Sequence, residues 1–133
     1  MIFLDSVFII SLLDENEKHH DNAIELLKYW EDIRYQRKAI NNVVLSEVLN
    51  KLKKSYYKGQ REKIINFLLS IDEIYYVSED DYKNAIALMK KYKYSINYND
   101  CLILITMEKN DINHIVSFDS DFDKAKNIKR IYI

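Results

Sequence analysis

Proline is absent from these 133 residues, and Gly59 is the only glycine. With so few breakers the chain favours helix, and its turns must rest on Asn, Asp and Ser. Cysteine occurs once, at Cys101, which excludes an internal disulfide framework and a cysteine-built zinc site. Set in the apolar run Cys101-Leu102-Ile103-Leu104-Ile105, it reads as a small buried residue. No apolar run approaches the roughly 18 to 20 residues that span a bilayer. The start, Met1-Ile2-Phe3-Leu4-Asp5, lacks the basic region of a signal peptide, so a cytoplasmic protein without membrane contact is the expectation. An excess of charge of one sign is lacking too. The net charge is -1, so any binding of a polyanion must come from local patches. Lys51, Lys53, Lys54, Lys58 and Arg61 form one such patch, and Lys90, Lys91 and Lys93 another; a solvated helix face is the commoner use of such runs.

What is present is an ordinary globular composition, 48% hydrophobic and 31% charged, which excludes disorder. The length suits one domain over residues 1–133, enough to bury a two- or three-layer core. There is no linker, repeat or low-complexity tract; strands and helices alternate instead. Ile2-Phe3-Leu4 is a short apolar strand ending at Asp5. His19 to Gln36 carries Ala23, Ile24, Leu26, Leu27, Trp30 and Ile33 at the spacing of an amphipathic helix. Ala39 to Val44 is a strand candidate interrupted by Asn41-Asn42. From Leu45 the period is helical, with Val48, Leu49, Leu52 and Tyr56 on one face and Gly59 placed as a C-terminal cap.

Arg61 to Ile71 continues as helix, with Ile64, Ile65, Phe67, Leu68 and Ile71 expected inside. Ile74 to Val77 reads as a strand, and Ser78 with Asp81 as a near capping box. The helix that follows is expected to bury Tyr82, Ala85, Ile86, Leu88, Met89 and Tyr92. Residues 101 to 105 suit a central strand or a buried helix; Asp100 before them favours helix, because negative charge suits a helix N-terminus. Ile112 to Phe118 and Ile128 to Ile133 read as strands, with a short helix from about Asp121 to Lys126 between them. The alternation implies parallel crossovers, and hence a three-layer α/β/α sandwich around a parallel sheet.

Four acids fall at the same end of these elements. Asp5 ends the first strand, and Asp119 follows the strand Ile112 to Phe118. Asp100 opens a helix, and Glu47 lies in the first turn of another. Open parallel sheets bind ligands beyond the carboxyl ends of their strands, where strand order reverses. If the first and fourth strands flank that point, all four acids face one crevice. Carboxylates so gathered repel one another until a proton or a cation neutralises them, and a hard divalent ion held by oxygen does so while activating water for phosphodiester hydrolysis. Each acid also has a plainer use. Asp5 and Asp119 suit helix caps, Asp100 suits a helix dipole, and Glu47 suits a surface pair with Lys51 at i+4.

At these residues the sequence resembles the PIN-domain family, in particular the VapC-like toxins of prokaryotic toxin–antitoxin pairs. Ile2-Phe3-Leu4-Asp5-Ser6 is similar to the family's first acidic strand, and Asn41-Asn42-Val43-Val44-Leu45-Ser46-Glu47-Val48-Leu49 to the segment with its acidic Glu. Tyr98-Asn99-Asp100-Cys101-Leu102-Ile103 is similar to the third acidic motif, and Ile115-Val116-Ser117-Phe118-Asp119-Ser120-Asp121-Phe122 to the fourth. Any one would be weak; four in the family's order, over nearly the whole chain, are specific.

The resemblance implies a PIN-like fold and a Mg²⁺- or Mn²⁺-dependent ribonuclease with catalytic acids Asp5, Glu47, Asp100 and Asp119. It implies metal binding by Asp5, Asp100 and Asp119, the first two being the foremost direct ligands, with an accessory acid at Asp121. Ser6 and Ser117 match hydroxyl positions that hold the carboxylates, with helix capping as their other use. It further implies an RNA substrate, a homodimer, and a cognate antitoxin that covers the acidic crevice. Cys101 and Thr106 stand where small residues such as Ala are usual, and Ser117 where Thr is commoner; no acid is missing.

Other readings fit less well. His19-His20 make a poor joint metal site, because adjacent helical residues face apart, and both are expected in solvent near a helix start. The tyrosines are expected in the core or at its rim, although they could stack on bases. In phosphatases of the haloacid-dehalogenase type a second Asp follows the first by two residues, where Val7 stands here. A receiver-like signalling domain needs an acidic neighbour beside Asp5, which is lacking. The strongest rivals keep the same fold: a non-catalytic RNA- or protein-binding module, or an RNA-processing nuclease without an antitoxin.

Overall fold

The computed structural model describes residues 1–29, 33 and 35–132. Its centre is a five-stranded sheet: β1 (Ile2–Leu4), β2 (Lys38–Asn41), β3 (Glu73–Tyr75), β4 (His114–Val116) and β5 (Lys129–Ile131). The spatial order is β3-β2-β1-β4-β5, and every neighbouring pair is parallel, for example Phe3 beside Ala39 on one side and Ile115 on the other. Sequence order therefore runs outward in both directions from the β1–β4 pair, which is the switch point of the sheet.

The fold is the expected three-layer α/β/α sandwich with a PIN-like sheet. Among the described residues the α-helices are α1 (Ser6–Leu13), α2 (His20–Tyr29), α3 (Asn42–Lys51), α4 (Arg61–Leu69), α5 (Glu79–Lys91) and α6 (Tyr98–Lys109), with 3₁₀ turns at Ser55–Tyr57 and Ser120–Lys124. Helix α1 is apolar nearly all round and accordingly buried, apart from Val7. It packs on α2, α3 and α4, while α5 packs on α6. In the sheet, Phe3 and Leu4 are fully buried, as central parallel strands with both faces covered require.

Several boundaries differ from the sequence expectation, each for a local reason. The strand expected over Ala39 to Val44 stops at Asn41, and α3 begins at Asn42. Asn41 causes the change: its side chain accepts the Val44 N–H at 2.9 Å and donates to Thr106 Oγ1 at 3.1 Å, so a buried polar residue caps α3 and ties it to α6. Gly59 does not take the left-handed backbone of a C-terminal cap; it lies in a turn before α4. Arg61 serves that end instead, donating to the carbonyls of Leu52, Lys53 and Lys54.

Tyr82 and Ile86, expected inside, are exposed, as is Leu49, which the sequence put on one face with Val48 and Leu52, because the apolar stripe on these helices is wider than the face the sheet covers. Tyr56, put on the same face, is exposed in the 3₁₀ turn beyond the end of α3. Ile65, Phe67 and Ile71 reach only the edge of the core. The tyrosines are correspondingly more exposed than expected: Tyr35, Tyr56, Tyr76, Tyr82, Tyr94 and Tyr132 face solvent, whereas Tyr57 is buried.

Other expectations agree. Ser78 and Asp81 form a full capping box at α5, residues 101 to 105 are helix, and Cys101 is buried. Trp30 and Ile133, assigned to a helix and a strand from the sequence, lie outside the described residues. Among the described residues no helix is long and apolar enough to cross a membrane.

Candidate active site

Because β1 and β4 are neighbours, the residues that leave their carboxyl ends meet. Asp5 follows β1 and caps α1, its Oδ1 accepting the Ser6 N–H at 2.8 Å. Its other oxygen, Oδ2, accepts a 2.7 Å hydrogen bond from Ser117 Oγ, just beyond β4. The same Ser117 Oγ accepts the Asp119 N–H at 3.0 Å, so one buried hydroxyl positions two acids from different strands. Behind it, Arg130 Nη1 donates to the Ser117 carbonyl at 3.2 Å and its guanidinium pairs with Asp123, fixing the turn from the far side.

Asp100 comes from the first turn of α6, which Asn97 caps through the Asp100 N–H at 2.9 Å. Glu47 comes from the second turn of α3, not from the first turn expected from the sequence, because the helix already begins at Asn42. Its Oε2 accepts from Ser6 Oγ at 2.9 Å and its Oε1 from Asn99 Nδ2 at 3.1 Å. That pair of bonds replaces the surface pairing with Lys51 weighed from the sequence. All four acids line one cavity of about 320 Å³, which Ser6, Val7, Asn97, His19 and Phe118 also line.

The gathering has an electrostatic cost. Burial, more than anything else, pushes the Asp5 carboxyl above its ordinary value, and nearby Glu47 and Asp119 add to it against the lowering effect of the Ser117 and Ser6 hydrogen bonds. Asp100 is pushed up to about 7, first by burial and then by the charges of Asp5, Asp119 and Glu47. Two acids that resist ionisation in one cavity are the expected signature of a site built for a cation.

The donor set suits one ion class. The four acids offer only oxygen, which hard divalent ions such as Mg²⁺ and Mn²⁺ prefer. Among the described residues no group of three or more His, Cys, Asp or Glu side chains forms a cage that could hold a metal ion. An ion that keeps several waters and takes one or two carboxylates directly needs no such cage. The residues present fit a hydrated hard divalent ion.

Of the other residues singled out in the sequence, Ser6 and Ser117 hold acids directly. Asp121 does not line the cavity: its N–H bonds Asp119 Oδ1 at 2.9 Å and its carboxylate pairs with Lys124 at 2.9 Å. The histidines differ from expectation, for both are half-buried. His20 Nδ1 lies 2.7 Å from the Ser11 carbonyl, and the His19 ring stacks on Phe118. Sequence reasoning passed over Asn99, although it sits inside an acidic motif, and over the His19–Phe118 pair, whose members are far apart in the chain.

A sequence model of the PIN domain matches residues 2–128. No curated protein sequence matches the chain significantly. Among solved structures, the chain is similar to VapC20 of Mycobacterium tuberculosis, described as a sarcin-ricin loop cleaving toxin, with a TM-score of 0.79, 20% identity and 100% of each chain covered. It is similar to VapBC2 of Rickettsia felis, solved on a DNA fragment from its promoter, with a TM-score of 0.73, 20% identity and 100% of each chain covered. A toxin–antitoxin complex from Klebsiella pneumoniae gives a TM-score of 0.72 at 20% identity, covering 97% of this chain and 96% of that one.

Proposed function

This chain belongs to the PIN domain family, and we propose on that basis that it is a cytoplasmic, metal-dependent endoribonuclease that hydrolyses RNA phosphodiester bonds as the toxin of a toxin–antitoxin pair. The observation that carries the reading is the convergence of Asp5, Glu47, Asp100 and Asp119 on one cavity, with Asp5 and Asp100 held above the ordinary carboxylate range. The toxin and toxin–antitoxin descriptions of the similar structures support the biological role and the antitoxin partner; a homodimer belongs to the same proposal. Residues 1–133 act as one domain.

In this reading Asp5 and Asp100 would hold Mg²⁺ or Mn²⁺ directly, with Asp119 acting on its water shell, and the ion would supply charge neutralisation and an activated water at neutral pH. The chain's own residues do the positioning. Ser117 keeps Asp5 turned toward the cavity and fixes the backbone at Asp119. Ser6 and Asn99 hold both oxygens of Glu47, so that its carboxylate orients the attacking water and accepts its proton. Asp121 acts only through Asp119, whose Oδ1 it fixes.

Protein freed of any bound partner is expected to cut single-stranded RNA with Mg²⁺ or Mn²⁺ and to stop when the metal is chelated, restarting on its return. Intact, metal-loaded protein that cuts nothing across structured and unstructured RNAs would instead favour a binding module of the same fold. Ser117→Ala is expected to cost about 10- to 100-fold in activity or metal affinity, the usual effect of losing a partner that orients a ligand. A Ser117→Ala enzyme with unchanged metal titration and rate would remove that serine from the site.

A further inference from the structure

We propose that His19 and Phe118 form a platform on which one base of single-stranded RNA stacks beside the acidic cavity. The proposal rests on the nuclease reading and adds the part of the substrate that these residues grip.

The two rings stack with centroids 4.5 Å apart and planes 16° from parallel. Phe118 in turn lies 6.3 Å from Phe8 at 45°, and Phe8 is fully buried. Aromatic contact thus runs from the core outward to two rings that are each only half-buried and that both line the acidic cavity. Its position is fixed at each end. Phe118 stands between Ser117 and Asp119, whose hydrogen bonds set the site. His19 precedes α2, where its carbonyl accepts the Ala23 N–H at 2.9 Å and the next ring, His20, is held on the Ser11 carbonyl. Neighbouring side chains of a helix start face apart, so anchoring His20 on α1 leaves His19 to the cavity.

An aromatic surface answers a problem the cavity creates. Four acids repel the phosphates of an approaching RNA, and the whole protein, at net charge -1, does not attract them. A base stacked on a ring is held without reference to charge, and any of the four bases offers a face. Held beside the acids, it also fixes the neighbouring phosphodiester in place, which lowers the entropy lost on the way to reaction.

The test uses the full-length protein and an oligoribonucleotide that the wild type cleaves, with abasic residues placed in turn on either side of the cut. His19→Ala is expected to lower kcat/KM by about 5- to 150-fold, the range for loss of one base–aromatic stack, mainly through KM. One abasic position should cost the wild type the same factor and cost His19→Ala nothing more. His19→Phe should stay within about threefold of the wild type, because it keeps the ring. A His19→Ala enzyme equal to the wild type, or one whose loss persists in full on every abasic substrate, overturns the platform while leaving the nuclease reading intact. If the wild type cleaves no RNA, the nuclease reading falls, and quenching of a 2-aminopurine oligoribonucleotide decides the platform by binding: quenching lost in His19→Ala sustains it, and no quenching by the wild type overturns it.

Discussion

Asp100→Asn is expected to reduce metal-dependent RNA cleavage by about 10²- to 10³-fold or more, the scale of removing one preorganised electrostatic group from an active site, and to raise the Tm of the metal-free protein at pH 8. The two effects have one cause. Asp100 is held up to about 7 by burial and by three neighbouring acids, so at pH 8 the folded protein carries a charge that the unfolded chain carries far more easily. At 1.36 kcal/mol per pH unit the whole shift is about 4 kcal/mol, and solvent screening in the open cavity brings the burden to about 2–4 kcal/mol. Asparagine keeps the shape, loses the charge, and can donate to the Asp119 carboxylate beside it. A gain of this size corresponds to about 7–14 °C for a domain of this length. Thermal unfolding in chelator and a cleavage time course on the same preparation check both halves. Undiminished cleavage would take Asp100 out of the chemistry. Lost cleavage with a lowered Tm would mean that the substitution had damaged the fold and not the metal site.

The metal-free protein is expected to lose stability as pH rises from about 4 to about 7, and divalent metal to restore it. An Asp carboxyl titrates near 3.8 when free and near 7 at Asp100 in the fold. Between those values the folded state holds a proton that the unfolded state has released, so stability falls with rising pH. Below about 4 both states are protonated and the penalty is absent; above about 7 it is present in full. Asp5 is pushed in the same direction, chiefly by burial. Asp81 and Asp123 are shifted downward, by the Ser78 backbone hydrogen bond and by Arg130 respectively, so they act on stability only below this window. In chelator, Tm at pH 5 should exceed Tm at pH 8 by several degrees. Millimolar Mg²⁺ or Mn²⁺ should close much of the gap at pH 8, because the ion binds the ionised carboxylates of the folded state alone. A Tm that is flat from pH 5 to 8 and indifferent to metal would show that these acids carry no such burden. Asp100→Asn should flatten the same profile.

Much of this site was legible in the residues themselves, because its signals are local. A β-type run ending in Asp and an acid in the first turn of an apolar helix each declare an element and its end, whereas the helix of Glu47 begins at Asn42, ahead of the start at Leu45 read from the sequence. The four acids could therefore be placed at one edge of a sheet before any strand was paired. The capping box of Ser78 and Asp81 was equally visible, because its two bonds lie within four residues. The errors also follow from locality. A run of β-branched residues at Val43 and Val44 resembles strand, but the buried Asn41 side chain, bonded to Thr106 of a distant helix, converts it to helix. Periodicity gave the apolar stripes of α3 and α5 without saying how wide a face the sheet would cover, so Tyr82 and Ile86 were expected inside and are exposed, as is Leu49.

The sequence by itself determined the alternation of elements, the three-layer class and the element ends at which Asp5, Asp100 and Asp119 stand. Only the tertiary structure decided that β1 lies against β4, which brings Asp5 to Ser117 across 112 residues of chain. It alone decided that Glu47 is held by Ser6 and Asn99, and that His19 rests on Phe118. The reason is physical: backbone periodicity and capping depend on neighbours within a few residues, whereas strand order and side-chain partners are chosen by the packing of the whole chain at once.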